Sequence, residues 1–139
     1  MNRWSIEVTF ESPDETVSGE AQPDLEIPDA DTTGVSSAIA IAPEGVLEEV
    51  RVHVEIAHTY IGDLYVELVA PSGQSAMLHN QTGRFADDLR VTYDHSLAPA
   101  LDALVGASIQ GDWTLRVRDL QQWDKGRLES WSIELRYKP

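Results

Sequence analysis

The chain has 139 residues, 42% of them apolar, with 10 basic and 24 acidic residues and no cysteine. That is one domain with a single core; it is neither a disordered chain nor two independently folded units. A formal net charge of −14 argues against a nucleic-acid or anionic-membrane partner, both of which need a basic face. The missing thiols exclude disulfides, thiolate zinc sites and cysteine nucleophiles.

In chain order, Trp4, Ile6, Val8 and Phe10 alternate with polar residues and predict an N-terminal strand. Residues 11–26 then read as a polar, acidic linker, so that residues 1–24 precede the main body at 25–139. The opening residues lack the apolar stretch and cleavage site of a signal peptide. No apolar run approaches the length of a membrane span. The chain is therefore either cytoplasmic or a piece of a longer secreted protein, in which case it is extracellular or periplasmic.

From residue 35 the dominant period is two. Val50, Val52, Val54 and Ile56 alternate with Glu49, Arg51, His53 and Glu55, and the same pattern recurs at Leu64–Leu68, Trp113–Val117 and Trp131–Tyr137. Each run predicts a strand with one buried face. Turn residues separate the runs at Pro43–Gly45, Ile61–Asp63, Pro71–Gly73, Gly111–Asp112 and Asp124–Gly126. Many short strands with regular turns imply an antiparallel sandwich or barrel. One short helix is expected over Leu97–Val105, with Pro99 near its start and Gly106 after its end. If strands 35–41 and 49–57 pair antiparallel, the Asp29–Gly34 and His58–Asp63 loops lie at the same end.

The order of motifs is more specific than any one of them. I-P-D, T-G-V-S-S, His58-Thr-Tyr-Ile-Gly-Asp-Leu64, L-V-A-P-S-G, L-H-N, T-Y-D, G-D-W-T-L-R-V-R-D and G-R-L-E-S-W follow one another. This set resembles the P domain, or Homo B domain, of proprotein convertases and bacterial subtilisin-like serine proteases, over about residues 25–139. The resemblance implies a jelly-roll β-sandwich of roughly eight strands. It also implies a non-catalytic module that packs beside a serine protease catalytic domain, or another extracellular partner domain, and stabilises it. One departure is His95, which follows T-Y-D where the family often carries an acid.

No G-x-S-x-G or H-E-x-x-H motif is present. His53 and His58 are five apart, which on a strand puts them on opposite faces. His58, at the end of a strong strand, reads as a structural histidine whose ring nitrogens tie down the following loop. Trp113 and Trp131 read as core, and Trp123 as a loop residue. Asp29, Asp31, Thr33 and Gly34 space oxygens at alternate positions, as a tight calcium loop would. If loops converge as that pairing suggests, Asp29, Asp31, Asp63, Asp87 and Asp88 meet at one end and hold calcium. The other reading of these aspartates is turn and capping residues. Asp119 and Asp124 form a second, weaker acidic pair. A carbohydrate-binding module is the alternative function, with Trp123, Tyr60 and Tyr93 as the candidate stacking platform. Arg116, Arg118 and Arg136 form the one locally basic region, either a docking patch or an ordinary solvated strand face.

Overall fold

The computed structural model describes residues 14–83, 86–121 and 126–139. Among these residues the chain forms nine strands: β1 (Glu15–Ala21), β2 (Leu25–Ile27), β3 (Asp31–Ile41), β4 (Val46–His58), β5 (Leu64–Val69), β6 (Ser75–Asn80), β7 (Leu89–Tyr93), β8 (Gly111–Asp119) and β9 (Gly126–Lys138). Two short 3₁₀ segments, Ile61–Asp63 and Pro99–Leu104, complete the regular structure. The second is the helix expected over Leu97–Val105, shortened to the stretch that follows Ala98. The described residues include no helix long and apolar enough to cross a membrane. Residues 4–10, expected as a strand, lie outside the described residues.

The strands build two antiparallel sheets. One runs β1-β9-β4-β7 with β2 also on β9; the other runs β3-β8-β5-β6. The pairs β2·β9, β3·β8, β4·β7 and β5·β6 are nested like the rungs of one long hairpin. Rolling that hairpin up, so that β9 meets β4 and β8 meets β5, makes a jelly-roll sandwich. The pairing of 35–41 with 49–57 is not formed. These two strands are consecutive in sequence but belong to opposite sheets, β3 against β8 and β4 between β9 and β7. The segment read as a polar linker also differs: residues 15–21 form β1 along β9, from Glu15 opposite Tyr137 to Ala21 opposite Trp131. As an edge strand, β1 needs to present few apolar side chains.

Alternation decides which side chains enter the sandwich. On β4, Val52, Val54, Ile56 and His58 point inward, and on β9 Leu128, Trp131, Ile133, Leu135 and Tyr137 do so. The opposite sheet contributes Leu64, Val66 and Leu68 from β5 and Trp113, Leu115 and Val117 from β8. Both buried indoles have acceptors. Trp113 Nε1 donates to Ile109 O at 2.9 Å, and Trp131 Nε1 crosses the core to Ser37 Oγ of β3 at 2.9 Å. An unmet indole N–H there would carry the cost of a buried, unpaired donor.

The connections β2–β3, β4–β5, β6–β7 and β8–β9 each carry the chain from one sheet to the other. All four lie at the same end, because Gly126 is opposite both Ile27 and His58, Asp119 is opposite both Asp31 and Leu64, and Asp88 N donates to His58 O at 2.8 Å. Gly34 sits beside this end with φ +70°, and a Cβ there would strike the Val117 carbonyl and the Arg118 side chain. Gly73 has φ +94° but open space around it. Urea denaturation should therefore separate two alanine variants. Gly73→Ala loses about 1 kcal/mol to backbone strain alone. Gly34→Ala loses more than about 2 kcal/mol, because strain and backbone overlap add.

Candidate functional site

The crossing end is organised by His58. It is the last residue of β4 and continues the inward parity of that strand, so its ring enters the end of the sandwich and is 2% exposed. The backbone N–H of Tyr60 donates to His58 Nδ1 at 3.0 Å. A backbone amide can only donate, so Nδ1 carries no proton and the ring is the neutral Nε2–H tautomer. Nε2 in turn donates to Asp119 Oδ2 at 2.9 Å. Asp119 is fully buried at the end of β8, and its other oxygen accepts from Gln121 N at 3.1 Å. This contact joins β4 of one sheet to β8 of the other across 61 residues of sequence.

The His58 backbone is held as firmly as its ring. Asp88 has left-handed φ of +59°, which aspartate tolerates better than most residues. In that conformation its N–H reaches His58 O, and its Oδ1 accepts from His58 N at 3.0 Å. A second buried histidine secures the loop from below. His79 on β6 donates from Nε2 to Ile61 O at 2.9 Å. Ile61 N donates to Ala86 O, and Leu120 N donates to Asp63 O. The segment Thr59–Asp63 is thus fastened to strand β6 and to the β6–β7 and β8–β9 connections, as expected for a structural His58.

The five candidate calcium ligands do not gather as one coordination sphere among the described residues. Asp29, Asp87 and Asp88 are exposed, Asp31 is half-buried and Asp63 is buried. Asp31 Oδ1 closes a turn by accepting from Thr33 N at 2.8 Å, and Asp88 Oδ2 lies 3.8 Å from Arg90. Asp31 and Asp63 do come to the same end: Asp31 of β3 is opposite Asp119, and Asp63 immediately precedes Leu64 of β5, which is also opposite Asp119. Among the described residues, the one group of three side chains with ligand atoms all within 4.8 Å is His58, Asp63 and Asp119. That trio is a poor match for calcium. A hard cation takes six to eight oxygens, whereas this trio offers two carboxylates and a ring whose nitrogens are both hydrogen-bonded. Asp124 lies outside the described residues.

Other expectations are redistributed. Tyr93 is 4% exposed, and burial pushes its phenol up to about 12. Tyr60 is half-buried and Trp123 lies outside the described residues, so the described aromatics form no exposed stacking pair. The three arginines do not make one patch. Arg116 and Arg118 are on β8 and enclose Glu67 of β5 at 3.5 Å each, with Arg118 stacked 4.6 Å over the Tyr65 ring. Arg136 is on β9 in the other sheet, paired with Asp14 at 2.6 Å and Glu49 at 3.3 Å. Equal parity on two strands gives one surface only if both strands share a sheet.

One constellation imitates a hydrolytic triad. Thr92 Oγ1 lies 2.8 Å from His53 Nδ1, and His53 Nε2 lies 2.5 Å from Glu55 Oε2. The Arg90 and His53 bonds hold the Glu55 carboxyl below its ordinary range. These residues lie on the outer face of a regular sheet, with His53 directly opposite Thr92. β4 is paired on both sides, so its amides are spent in the ladder and do not converge on an oxyanion. The arrangement is a cross-strand polar pair with a carboxylate neighbour.

A jelly-roll sandwich whose sheet-crossing end is fastened by a buried histidine–aspartate contact is a module built for rigidity, and comparison with known proteins assigns it. Residues 47–135 match the proprotein convertase P-domain family, and the chain belongs to that family. It is 43% identical over 115 residues to a calcium-dependent protease of Nostoc sp., covering 81% of this chain and 17% of that protein. It is 39% identical over 114 residues to leupeptin-inactivating enzyme 1 of Streptomyces exfoliatus, covering 79% of this chain and 24% of that protein. The chain therefore spans less than a quarter of these relatives. Its fold also matches a serine protease of Aeromonas sobria, solved in complex with a chaperone, with a TM-score of 0.74 and 21% identity over 93% of this chain and 28% of that one. The chain is thus a protease-associated accessory domain of the P-domain type.

The buried histidine His79 gives a pH dependence. Burial pulls its pKa below the ordinary histidine value, against the smaller raising effect of its bond to Ile61 O. Below about pH 6.5 the unfolded chain takes up a proton that the folded chain refuses, so stability falls with acidification. The contribution is complete above the ordinary value and is lost as pH drops toward the folded one. Thermal unfolding from pH 7.5 to 5 should show this slope. His79→Gln, which keeps a donor for Ile61 O without a titration, should flatten it.

Proposed function

We propose that this chain is a non-catalytic module that docks beside a serine protease catalytic domain, or another extracellular partner domain, and stabilises it. The observation that carries this reading is the P-domain match over residues 47–135, in relatives where the similar segment is a minor part of a named protease or inactivating enzyme. The fold supports it physically. Nested strand pairing and a hydrogen-bonded sheet-crossing end make a body that a partner can lean on without deforming it. Extracellular placement follows from the same reading.

Calcium belongs to the proposal through Asp29, Asp31, Asp63, Asp87 and Asp88, whose side chains would have to draw together around the ion. The similarity to a calcium-dependent protease of Nostoc supports it. These residues would supply hard carboxylate oxygens from three connections, so a bound ion would brace the loops against one another.

Two measurements separate the parts of this reading. Grafting the chain in place of the matching segment of the Nostoc protease should restore resistance to thermal inactivation relative to the truncated enzyme. A graft as labile as the truncation contradicts the docking role. In the isolated chain, calcium added after chelation at a hundredfold excess over its Kd should add about 2.7 kcal/mol. The midpoint should rise by several degrees, with no rise from magnesium, and Asp29→Asn with Asp31→Asn should abolish the effect. An unchanged midpoint in a sample shown to be metal-free removes calcium and leaves docking intact.

A further inference from the structure

The outer face of the sheet containing β4 and β9 carries three depressions that join end to end. The first lies against the 3₁₀ helix Pro99–Leu104 and is lined by Glu48, Glu49, Val50, Asp102, Val105 and Arg136, among others. Glu49 and Arg136 also line the second, which continues to Arg51 and Glu134. Arg51 and Glu134 in turn line the third, which ends at Ser18, Glu20, His53 and Thr92. Their shared lining residues place them in one row, a trough that runs along β4 and β9 from the 3₁₀ helix toward the sheet-crossing end, with β1 and β7 on either side of its far part.

The trough has a chemical polarity. Its 3₁₀ end holds Val105, which is 45% exposed; Leu97, just before that helix in sequence, is 57% exposed, and Val46 on β4 is 44% exposed. These are three of the four large hydrophobic side chains that the described residues expose, the other being Met77. Val46 is drawn to this end by its bridge to Ser108, and Gly106 N donates to Leu47 O. Carboxylate exceeds guanidinium over the whole trough, and most at this same end: Glu48, Glu49 and Asp102 stand against Arg136, which is already held by Asp14 and Glu49, while Glu134 and Glu20 farther along stand near Arg51. Exposed aliphatic side chains beside a surplus of carboxylates describe the complement of an amphipathic, cationic segment.

We propose that this trough is a docking site for an extended, basic segment of a partner protein. An aliphatic side chain of that segment sits on Val105 beside the 3₁₀ helix, and lysine or arginine side chains meet Glu48 and Asp102 there and Glu134 and Glu20 farther along. The proposal rests on the reading of the chain as a docking module and names the surface and the partner chemistry. It places the interface on the opposite face of the sandwich from Arg116 and Arg118.

The test uses the whole isolated chain and an acetylated, amidated hexapeptide of alternating leucine and arginine, with its leucine–glutamate counterpart as control. Titration followed by ¹H–¹⁵N correlation spectra should give saturable shifts running from Val105 through Glu49 and Glu134 to Glu20. Binding should weaken as salt is raised. Glu48→Lys with Asp102→Lys, and separately Val105→Asp, should each weaken binding by about tenfold or more. Asp112→Lys, an exposed charge change on the other sheet, should leave it within about twofold. Shifts scattered over the acidic surface, binding by the glutamate peptide, an unaffected Val105→Asp variant, or no saturable binding would each overturn the proposal. Because the titration contains no protease, such a result removes the trough alone, while the graft experiment judges the docking role.

Discussion

The hydrogen bond from His58 Nε2 to Asp119 Oδ2 is the contact on which the sheet-crossing end depends. A jelly roll must carry its chain between sheets repeatedly, and here four of those crossings share one end of the sandwich. Crossing segments leave backbone groups outside any ladder, and at a buried end those groups need partners. One neutral imidazole meets one of these needs and ties it to the opposite sheet. It accepts from the amide of Tyr60 and donates to a carboxylate on the opposite sheet. Because that carboxylate also holds Gln121 N, the β4–β5 and β8–β9 connections are set relative to each other by one side chain. Asp88 adds the β6–β7 connection through the backbone of the same histidine.

With that end fixed, the two outer faces are free to differ. One sheet shows a compact cluster in which Glu67, only 8% exposed, lies beneath Arg116 and Arg118. Its charges are largely satisfied within the face. The other sheet carries more carboxylate than guanidinium along a continuous depression, and its ion pairs are surface pairs worth little individually. A net charge of −14 is therefore not spread evenly in effect. The basic residues late in the chain are divided between the faces, and the trough keeps its acidic surplus.

Much of the fold was legible because strand parity and motif order survive in a single sequence. The inward set of β4, from Val52 to His58, follows directly from alternation, and the family resemblance supplied the jelly roll. Pairing partners were not legible in the same way. β3 and β4 both alternate cleanly, and nothing local says that two consecutive strands belong to opposite sheets. β1 was hidden for a different reason: as an edge strand with Val17 as its main apolar residue, it looks like a linker. At the site, the structural role of His58 could be read from its place between a strong strand and a glycine-containing turn. Its partner could not, since Asp119 lies 61 residues away and its proximity is a product of the rolled topology. The arginine patch failed on the same point, because Arg116 and Arg136 have equal parity on strands of different sheets.

The most direct test of this account is the tautomer of His58, read from the long-range ¹H–¹⁵N correlations of its ring at neutral pH. The structure requires a neutral ring with the proton on Nε2, and that proton should exchange slowly with solvent because ring and acceptor are both buried. A proton on Nδ1, a doubly protonated ring, or rapid exchange at Nε2 would contradict the claim that this contact fastens the two sheets.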